Sequence, residues 1–173
     1  PDSIDAEFLR QCPYLKTIAG ALRGYDNFDI DACRDRGIKF TIVPDLLAQP
    51  TAELALALVL ALGRRLLEGD DYIRSGKFHG WRPELYGIGV MKKKIGILGM
   101  GRLGRAFAKI ISGLESDVKY YDQKLLTSEL QKTLNVEYLD FEQLLEWSDY
   151  IVTMLPLTPV SYTHLTLPTI VRG

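Results

Sequence analysis

The stretch GILGMGRLG, residues 96–104, constrains this chain more than any other feature of its sequence. It places Gly99, Gly101 and Gly104 in a G-x-G-x-x-G pattern between an apolar strand pattern and a helical pattern that begins at Arg102. The first glycine permits a tight turn, the second lets backbone approach a phosphate, and the third lets the helix pack closely on the strand. Unpaired N–H groups at the start of such a helix favour an anion. The pattern therefore predicts a parallel α/β fold that binds the pyrophosphate of a dinucleotide.

An acidic residue at the end of the next predicted strand supports a dinucleotide. Asp122 ends the pattern VKYYD. A carboxylate there can accept hydrogen bonds from both ribose hydroxyls of an adenosine, and it repels a 2′-phosphate. Because Gln123 rather than an arginine follows, the pattern favours NAD over NADP, with Lys124 as the one neighbour that softens the preference. The alternative is a glycine turn in an α/β sheet that binds no ligand.

The strand pattern YIVTML ends in a turn at the carboxyl edge of the predicted sheet. Ligands of parallel α/β sheets bind outside this edge, so we expect the nicotinamide half of the cofactor to pass along the turn. The alternative is an ordinary strand-end turn. Arg102 is expected to offer its backbone N–H to the pyrophosphate, beside Leu103. The residues expected near the nicotinamide are Met154, Leu155, Pro156 and Thr158.

Composition and charge exclude several classes of function. The chain has 173 residues, of which 47% are hydrophobic, and its formal net charge of -1 gives no general basic footprint for nucleic acid. The longest purely apolar run, residues 54–62, is far shorter than the roughly 20 residues that a membrane span needs. Cys12 and Cys33 form neither a metal-binding spacing nor a disulfide framework. We therefore expect reduced thiols, no metal, no membrane partner and a cytoplasmic location.

Alternating helix and strand patterns cover residues 1–50 and resume at Lys94, which is typical of parallel sheets. Between them, residues 51–76 read as one long helix that is apolar nearly all round in its first three turns. Such a helix is expected to be buried on every side, between domains or against another subunit. The stretch over residues 78–90 is rich in glycine and aromatics and reads as an irregular linker. The first two helices are expected to be capped by Ser3 or Asp5 and by Asp29 or Asp31.

With these residues in place, the chain resembles the D-2-hydroxyacid dehydrogenase family. The matching stretches are LKTIAGALRGYDNFDIDACRDRGI, VPDLL with PTAELALALVLALGRR, GILGMGRLG and the LPLTP turn. The resemblance implies part of a flavodoxin-like substrate domain in residues 1–50 and an inter-domain or dimer helix in 51–76. It implies part of a Rossmann-like NAD-binding domain in 77–159. It also implies an NAD-dependent oxidoreductase that acts on a small anion as a homodimer.

Within this family the stretches ALRGYDNFD and FHGWRPELYG most resemble the phosphite (phosphonate) dehydrogenases. Those enzymes place a lysine before the loop glycine, where this chain has Arg23 before Gly24. A guanidinium can pair with two oxygens of a small oxyanion, so the resemblance implies phosphite as substrate and Arg23 as its binding residue. Two alternatives stay open. One concerns Arg23, which would point into solvent or pair with Asp26. The other concerns the substrate, which would be a D-2-hydroxy acid held by backbone N–H groups.

The resemblance also implies roles for three residues outside the glycine pattern. Thr51 matches a family position close to the nicotinamide, although it could equally be a plain helix N-cap. Trp81 and Tyr86 match aromatic residues that approach the active site of the phosphite enzymes, from the same or a neighbouring protomer. The alternative for both is packing within the linker.

Hydride transfer in this family depends on an arginine, an acidic residue and a histidine, none of which can be assigned in this sequence. His79 lies in the linker, and His164 lies in the tail VSYTHLTLPTIVRG, which departs from the family pattern. We expect residues 160–173 to be non-native and the chain alone to have little or no turnover. A third interpretation is an NAD-sensing corepressor-like protein, which would bind the cofactor without catalysis.

Overall fold

The computed structural model describes residues 3–21 and 23–155 of the chain. It divides into two compact units, Pro1–Ala48 and Gln49–Gly173. Both contain parallel strands that alternate with helices, so the predicted α/β fold is confirmed.

In its described residues, the first unit consists of a two-stranded parallel sheet and two helices. Asp5 accepts a hydrogen bond from the N–H of Phe8 and caps the first helix, whereas Asp29 caps the second through Ala32. The structure thus selects one of the two capping residues that the sequence left open for each helix. The elements are α1 (Ala6–Gln11), β1 (Thr17–Ala19), α2 (Ile30–Asp35) and β2 (Lys39–Thr41). The buried core residues are Leu9, Cys33 and Ile38.

The second unit is built on a four-stranded parallel sheet in the order β5-β4-β3-β6. Its strands are β3 (Lys94–Leu98), β4 (Asp117–Tyr121), β5 (Glu137–Tyr138) and β6 (Tyr150–Thr153). Its helices are α3 (Ala48–Gly63), α4 (Leu66–Arg74), α5 (Arg102–Ile111), α6 (Ser128–Leu134) and α7 (Phe141–Trp147), with a 3₁₀ turn at Ser112–Leu114.

The central strand β3 is buried along its length after Lys94, as expected for a parallel strand covered on both faces. Ile95 and Ile97 join a core with Phe107 of α5 on one face. On the other face α7 lies directly on the strand, because a Cβ at Gly96 would come within 3.2 Å of Leu144. The carboxyl end of β3 is thus held between helices, and this fixes the start of the glycine turn.

The single long helix predicted over residues 51–76 is two helices in the structure. The first begins at Ala48, because Pro50 falls in its first turn, where a missing N–H costs nothing. It ends at Gly63, and Arg65 then adopts a left-handed conformation with φ 52°, which no helix continues through. The linker backbone runs against this point, so closely that a Cβ on Gly87 would lie 2.9 Å from the Cα of Arg64.

Within this single chain, only part of the apolar surface of α3 is buried, and the expected burial against another subunit stays a prediction. Its buried residues are Ala52, Val59 and Gly63. The leucines of the opposite surface, Leu54, Leu58 and Leu62, are 59%, 62% and 75% exposed. An all-round apolar pattern does not distinguish burial within one chain from burial by another surface, so the sequence alone could not decide this point. Across the described residues, none of the helices combines the length and the apolar character needed to cross a membrane.

Tyr150 fastens the end of α3 and the linker to the sheet. Its hydroxyl donates to the carbonyl oxygen of Ile88 at 3.0 Å, and burial raises the pKa of this phenol. Gly63 lies directly against the same hydroxyl, which leaves no room for a side chain there. The contact joins three segments that are far apart in sequence.

Replacing Gly63 with alanine tests this junction. The new Cβ would collide with the Tyr150 hydroxyl and come within 2.8 Å of the Ile88 carbonyl oxygen. We expect the free energy of unfolding, measured by denaturant titration, to fall by about 1–3 kcal/mol. The control is Gly69→Ala in α4, where the Cβ would have no neighbour within 4 Å and stability should rise by up to about 1 kcal/mol. Equal changes in the free energy of unfolding of the two variants would contradict the close packing described for Gly63.

Candidate cofactor-binding site

Gly99 makes the turn between β3 and α5 in a conformation that suits only glycine. Its φ is 93°, and its N–H donates to the carbonyl oxygen of Tyr121 at 2.8 Å. A Cβ at this position would lie 2.8 Å from the carbonyl oxygen of Met154 at the end of β6. The turn is therefore held against the ends of both neighbouring strands, and a side chain would be excluded by strain and by collision.

Gly104 and Gly101 occupy different surroundings in the same turn. Gly104 is buried, and a Cβ there would collide with the carbonyl oxygen of Gly99, so the helix lies directly on the turn. Gly101 is exposed, and a Cβ there would meet no atom within 4 Å. The backbone at Gly101 thus faces open space that a phosphate group can enter.

The N-terminus of α5 lacks side chains that would compete with a bound anion. Gly101 is the N-cap residue and offers no capping side chain, and the first turn contains no acidic residue. The helix dipole adds partial positive charge at this end. Leu103 packs half-buried against the core, whereas Arg102 is exposed on the first turn. The residues predicted at the pyrophosphate therefore lie together on one turn of α5.

Asp122 lies beside the glycine turn, at the carboxyl end of β4. One of its carboxylate oxygens accepts the N–H of Met100 at 2.6 Å, and the other accepts the N–H of Lys124 at 2.9 Å. The residue is only half-buried. Each carboxylate oxygen has a second acceptor direction, so both can still receive ribose hydroxyls. Sequence reasoning found the carboxylate but not its backbone partner on the glycine turn, because backbone donors leave no signal in residue types.

The end of β6 borders the glycine turn on its other side. The N–H of Met154 donates to the carbonyl oxygen of Leu98 at 2.7 Å and extends the ladder past the strand. Leu155 is partly exposed, and its side chain lies within 2.8 Å of the point where a Cβ on Gly99 would be. The structure thus brings these two predicted residues to the turn. Pro156 and Thr158 lie outside the described residues.

Thr51 and Arg23, which the sequence analysis also assigned to the site, belong to elements other than the glycine turn. Thr51 is exposed within α3, which begins three residues earlier, so it is not the N-cap. Arg23 belongs to the first unit, where it is exposed immediately before Gly24. Within the described residues no ion pair joins Arg23 to Asp26, so that alternative from the sequence is not what the structure contains.

Together these features define a class of protein. A parallel sheet carries a strand, a glycine turn and a helix, with a carboxylate at the end of the adjacent strand, and this is the arrangement of a dinucleotide-binding domain. Among the described residues no cluster of potential ligands could hold a metal ion.

Comparison with known proteins identifies the family. Residues 56–170 match the NAD binding domain of the D-isomer specific 2-hydroxyacid dehydrogenases. The chain is 42% identical over 166 residues to a glyoxylate reductase of Thermococcus litoralis, in a match that covers 93% of this chain and 50% of that protein. It is 40% identical over 169 residues to the glyoxylate reductase of Pyrococcus horikoshii, over 95% of this chain and 50% of that protein.

Solved structures agree with this assignment. A protein from Thermus thermophilus matches with a TM-score of 0.87 at 38% identity, over 95% of this chain and 51% of the other. The D-lactate dehydrogenase of Escherichia coli matches with a TM-score of 0.74 at 31% identity, over 92% of this chain and 49% of the other. The chain belongs to the D-isomer specific 2-hydroxyacid dehydrogenase family and carries its NAD-binding domain. It spans about half the length of the curated relatives it matches.

Alanine at Gly101 and at Gly104 should have opposite consequences. A Cβ at Gly101 enters open space, so we expect unchanged stability but a rise of about an order of magnitude in the Kd for NADH, because the pyrophosphate needs that space. A Cβ at Gly104 collides with Gly99, so we expect a loss of stability of about 1–3 kcal/mol. Isothermal titration and thermal unfolding measure the two quantities. A stability loss at Gly101 as large as that at Gly104 would contradict the geometry.

Removing the charge of Asp122 should change cofactor preference. In Asp122→Asn we expect the Kd for NADH to rise about tenfold, since hydrogen bonds to a charged acceptor are the stronger ones. The Kd for NADPH should stay constant or fall, because the repulsion of its 2′-phosphate disappears. Asp117→Asn, at the other end of the same strand, is the matched control and should change neither. Parallel weakening of both cofactors in Asp122→Asn would oppose a selective role.

Proposed function

We propose that the whole protein is an NAD-dependent oxidoreductase that reduces a small 2-oxo acid, glyoxylate or a close analogue, to the corresponding 2-hydroxy acid. The observation that carries the proposal is the glycine turn with Asp122 beside it, in a chain that resembles glyoxylate reductases along nearly its whole length. Several relatives with that name match at 36–42% identity. The proposal concerns the whole protein, because this chain spans about half of those relatives.

The residues of this chain would bind and orient the cofactor. The turn at Gly101 and the first turn of α5 would hold the pyrophosphate, and Asp122 would hold the adenosine ribose. Met154 and Leu155, at the end of β6, would border the nicotinamide. When bound, the nicotinamide supplies or accepts the hydride. Binding at the carboxyl edge of the sheet would fix the orientation in which the ring meets the substrate.

Phosphite is the second candidate substrate, and the observation that favours it is the state of Arg23. This guanidinium is exposed before the loop glycine, and no carboxylate in the described residues forms an ion pair with it. It could therefore pair with two oxygens of phosphite. In that reaction water attacks phosphorus and loses a proton, hydride passes from phosphorus to NAD, and phosphate and NADH are formed. The names of the relatives support a 2-oxo acid instead.

Exposed leucines support the further proposal that the protein is a homodimer. Leu54, Leu58 and Leu62 lie on one face of α3, and Leu66 and Leu67 of α4 are exposed as well. A second copy that covered these leucines would remove them from water.

A cytoplasmic location is proposed from the free cysteines. Burial raises the pKa of the Cys33 thiol, so it would stay protonated and unreactive.

Steady-state assays of the whole protein separate the two substrates. We expect kcat/KM for NADH-dependent reduction of glyoxylate to exceed that for NAD reduction by phosphite by at least about tenfold. Arg23→Ala should then leave glyoxylate reduction nearly unchanged, and Arg34→Ala is the control, since Arg34 is an exposed arginine of the same unit that pairs with Asp31.

Other results would decide against the proposal in distinct ways. Phosphite turnover that is faster than glyoxylate reduction and is lost in Arg23→Ala would establish the second candidate. Tight NADH binding without turnover of phosphite or any 2-oxo acid would favour an NAD-sensing protein.

A further inference from the structure

The loop that joins β4 to α6, residues 122–127, carries the two side chains that a ribose or its 2′-phosphate would meet. Asp122 provides the carboxylate, and Lys124 is the one basic residue of the loop. The position of this loop therefore determines whether the site attracts or repels a phosphorylated ribose. At its start the loop is tied to the glycine turn, through Asp122 and the N–H of Met100 at 2.6 Å.

At its other end the loop is held through both polar backbone groups of Leu126. The N–H donates to the hydroxyl oxygen of Tyr120 at 3.0 Å. The carbonyl oxygen accepts the side-chain amide of Gln131 at 3.1 Å. Thr127 then caps α6 by accepting the N–H of Leu130. The short segment between Asp122 and Leu126 is thus fixed at both ends.

Tyr120 is a rigid anchor for this loop. Its side chain is fully buried, and its ring packs edge-on against Tyr138 at a centroid distance of 5.7 Å. Its backbone pairs with β3 and with β5, and its carbonyl oxygen accepts the N–H of Leu139 at 2.9 Å. Because ring and backbone are both fixed, the hydroxyl holds Leu126 at a fixed place relative to the sheet.

We propose that Tyr120 is a positioning residue for cofactor selection. Its hydroxyl fixes the far end of the loop over residues 122–127, whose start Asp122 ties to the glycine turn, and this keeps Lys124 from a 2′-phosphate. Without that bond the loop loosens at Leu126, and the ammonium of Lys124 gains access to the ribose. The inference rests on NAD binding by this family and is independent of the substrate.

Tyr120→Phe tests the inference, because it removes the hydroxyl and keeps the ring. We measure the Kd values of NADH and NADPH for the chain by isothermal titration. The ratio of the NADPH Kd to the NADH Kd should fall about three- to tenfold, the effect of one hydrogen bond. The amide of Leu126 should exchange with solvent faster than in the unsubstituted chain. Tyr138→Phe is the matched control, since its hydroxyl bonds Asp140 outside the loop, and the ratio should stay unchanged.

A purely structural role for Tyr120 would lower the unfolding temperature and leave the ratio of Kd values constant, and that result would overturn the inference. If Tyr120→Phe does not fold, Gln131→Met decides the matter. This substitution removes the bond to the Leu126 carbonyl from a half-buried position on α6, without altering the buried ring. The ratio should then fall in the same direction, and a constant ratio would again refute the proposal.

Discussion

The contact between α5 and the end of β3 is the constraint on which the rest of the site depends. Gly104 lets the helix lie directly on the carbonyl oxygen of Gly99, so the first turn of α5 is held at the carboxyl end of β3. Gly99 must then turn in a left-handed conformation between the ends of β4 and β6. Gly99 and Gly104 are both in close contact, whereas the backbone at Gly101 between them faces open space.

Asp122 couples this turn to the adenosine end of the proposed site. The carboxylate that would bind the ribose also accepts the N–H of Met100, so the shape of the turn and the proposed choice of cofactor would depend on the same group. Tyr120 extends the coupling by holding the far end of the following loop. On the proposal above, the selectivity of this domain would be a property of this connected set of hydrogen bonds and not of a single side chain.

Local sequence patterns were sufficient for much of the fold and for the glycine turn of the candidate site. The glycine spacing and Asp122 lie where the sequence predicts, because turns and strand ends depend on short segments. The break after Gly63 was not predictable, since it depends on the linker at Gly87 and on Tyr150, which are distant in sequence. The anchoring of Leu126 by Tyr120 was missed for a similar reason, because one tyrosine in a strand reads simply as core.

The central claim is that the carboxyl edge of the sheet binds NAD, and an NMR titration of the chain with NADH tests it most directly. The account predicts that the amide signals of Met100, Gly101, Leu103 and Lys124 shift with increasing NADH. Signals of Asp117, Lys132 and Asn135, which line a cavity at the amino edge of the sheet, should stay in place. Shifts confined to the amino edge, or none at the glycine turn at saturating NADH, would contradict the account.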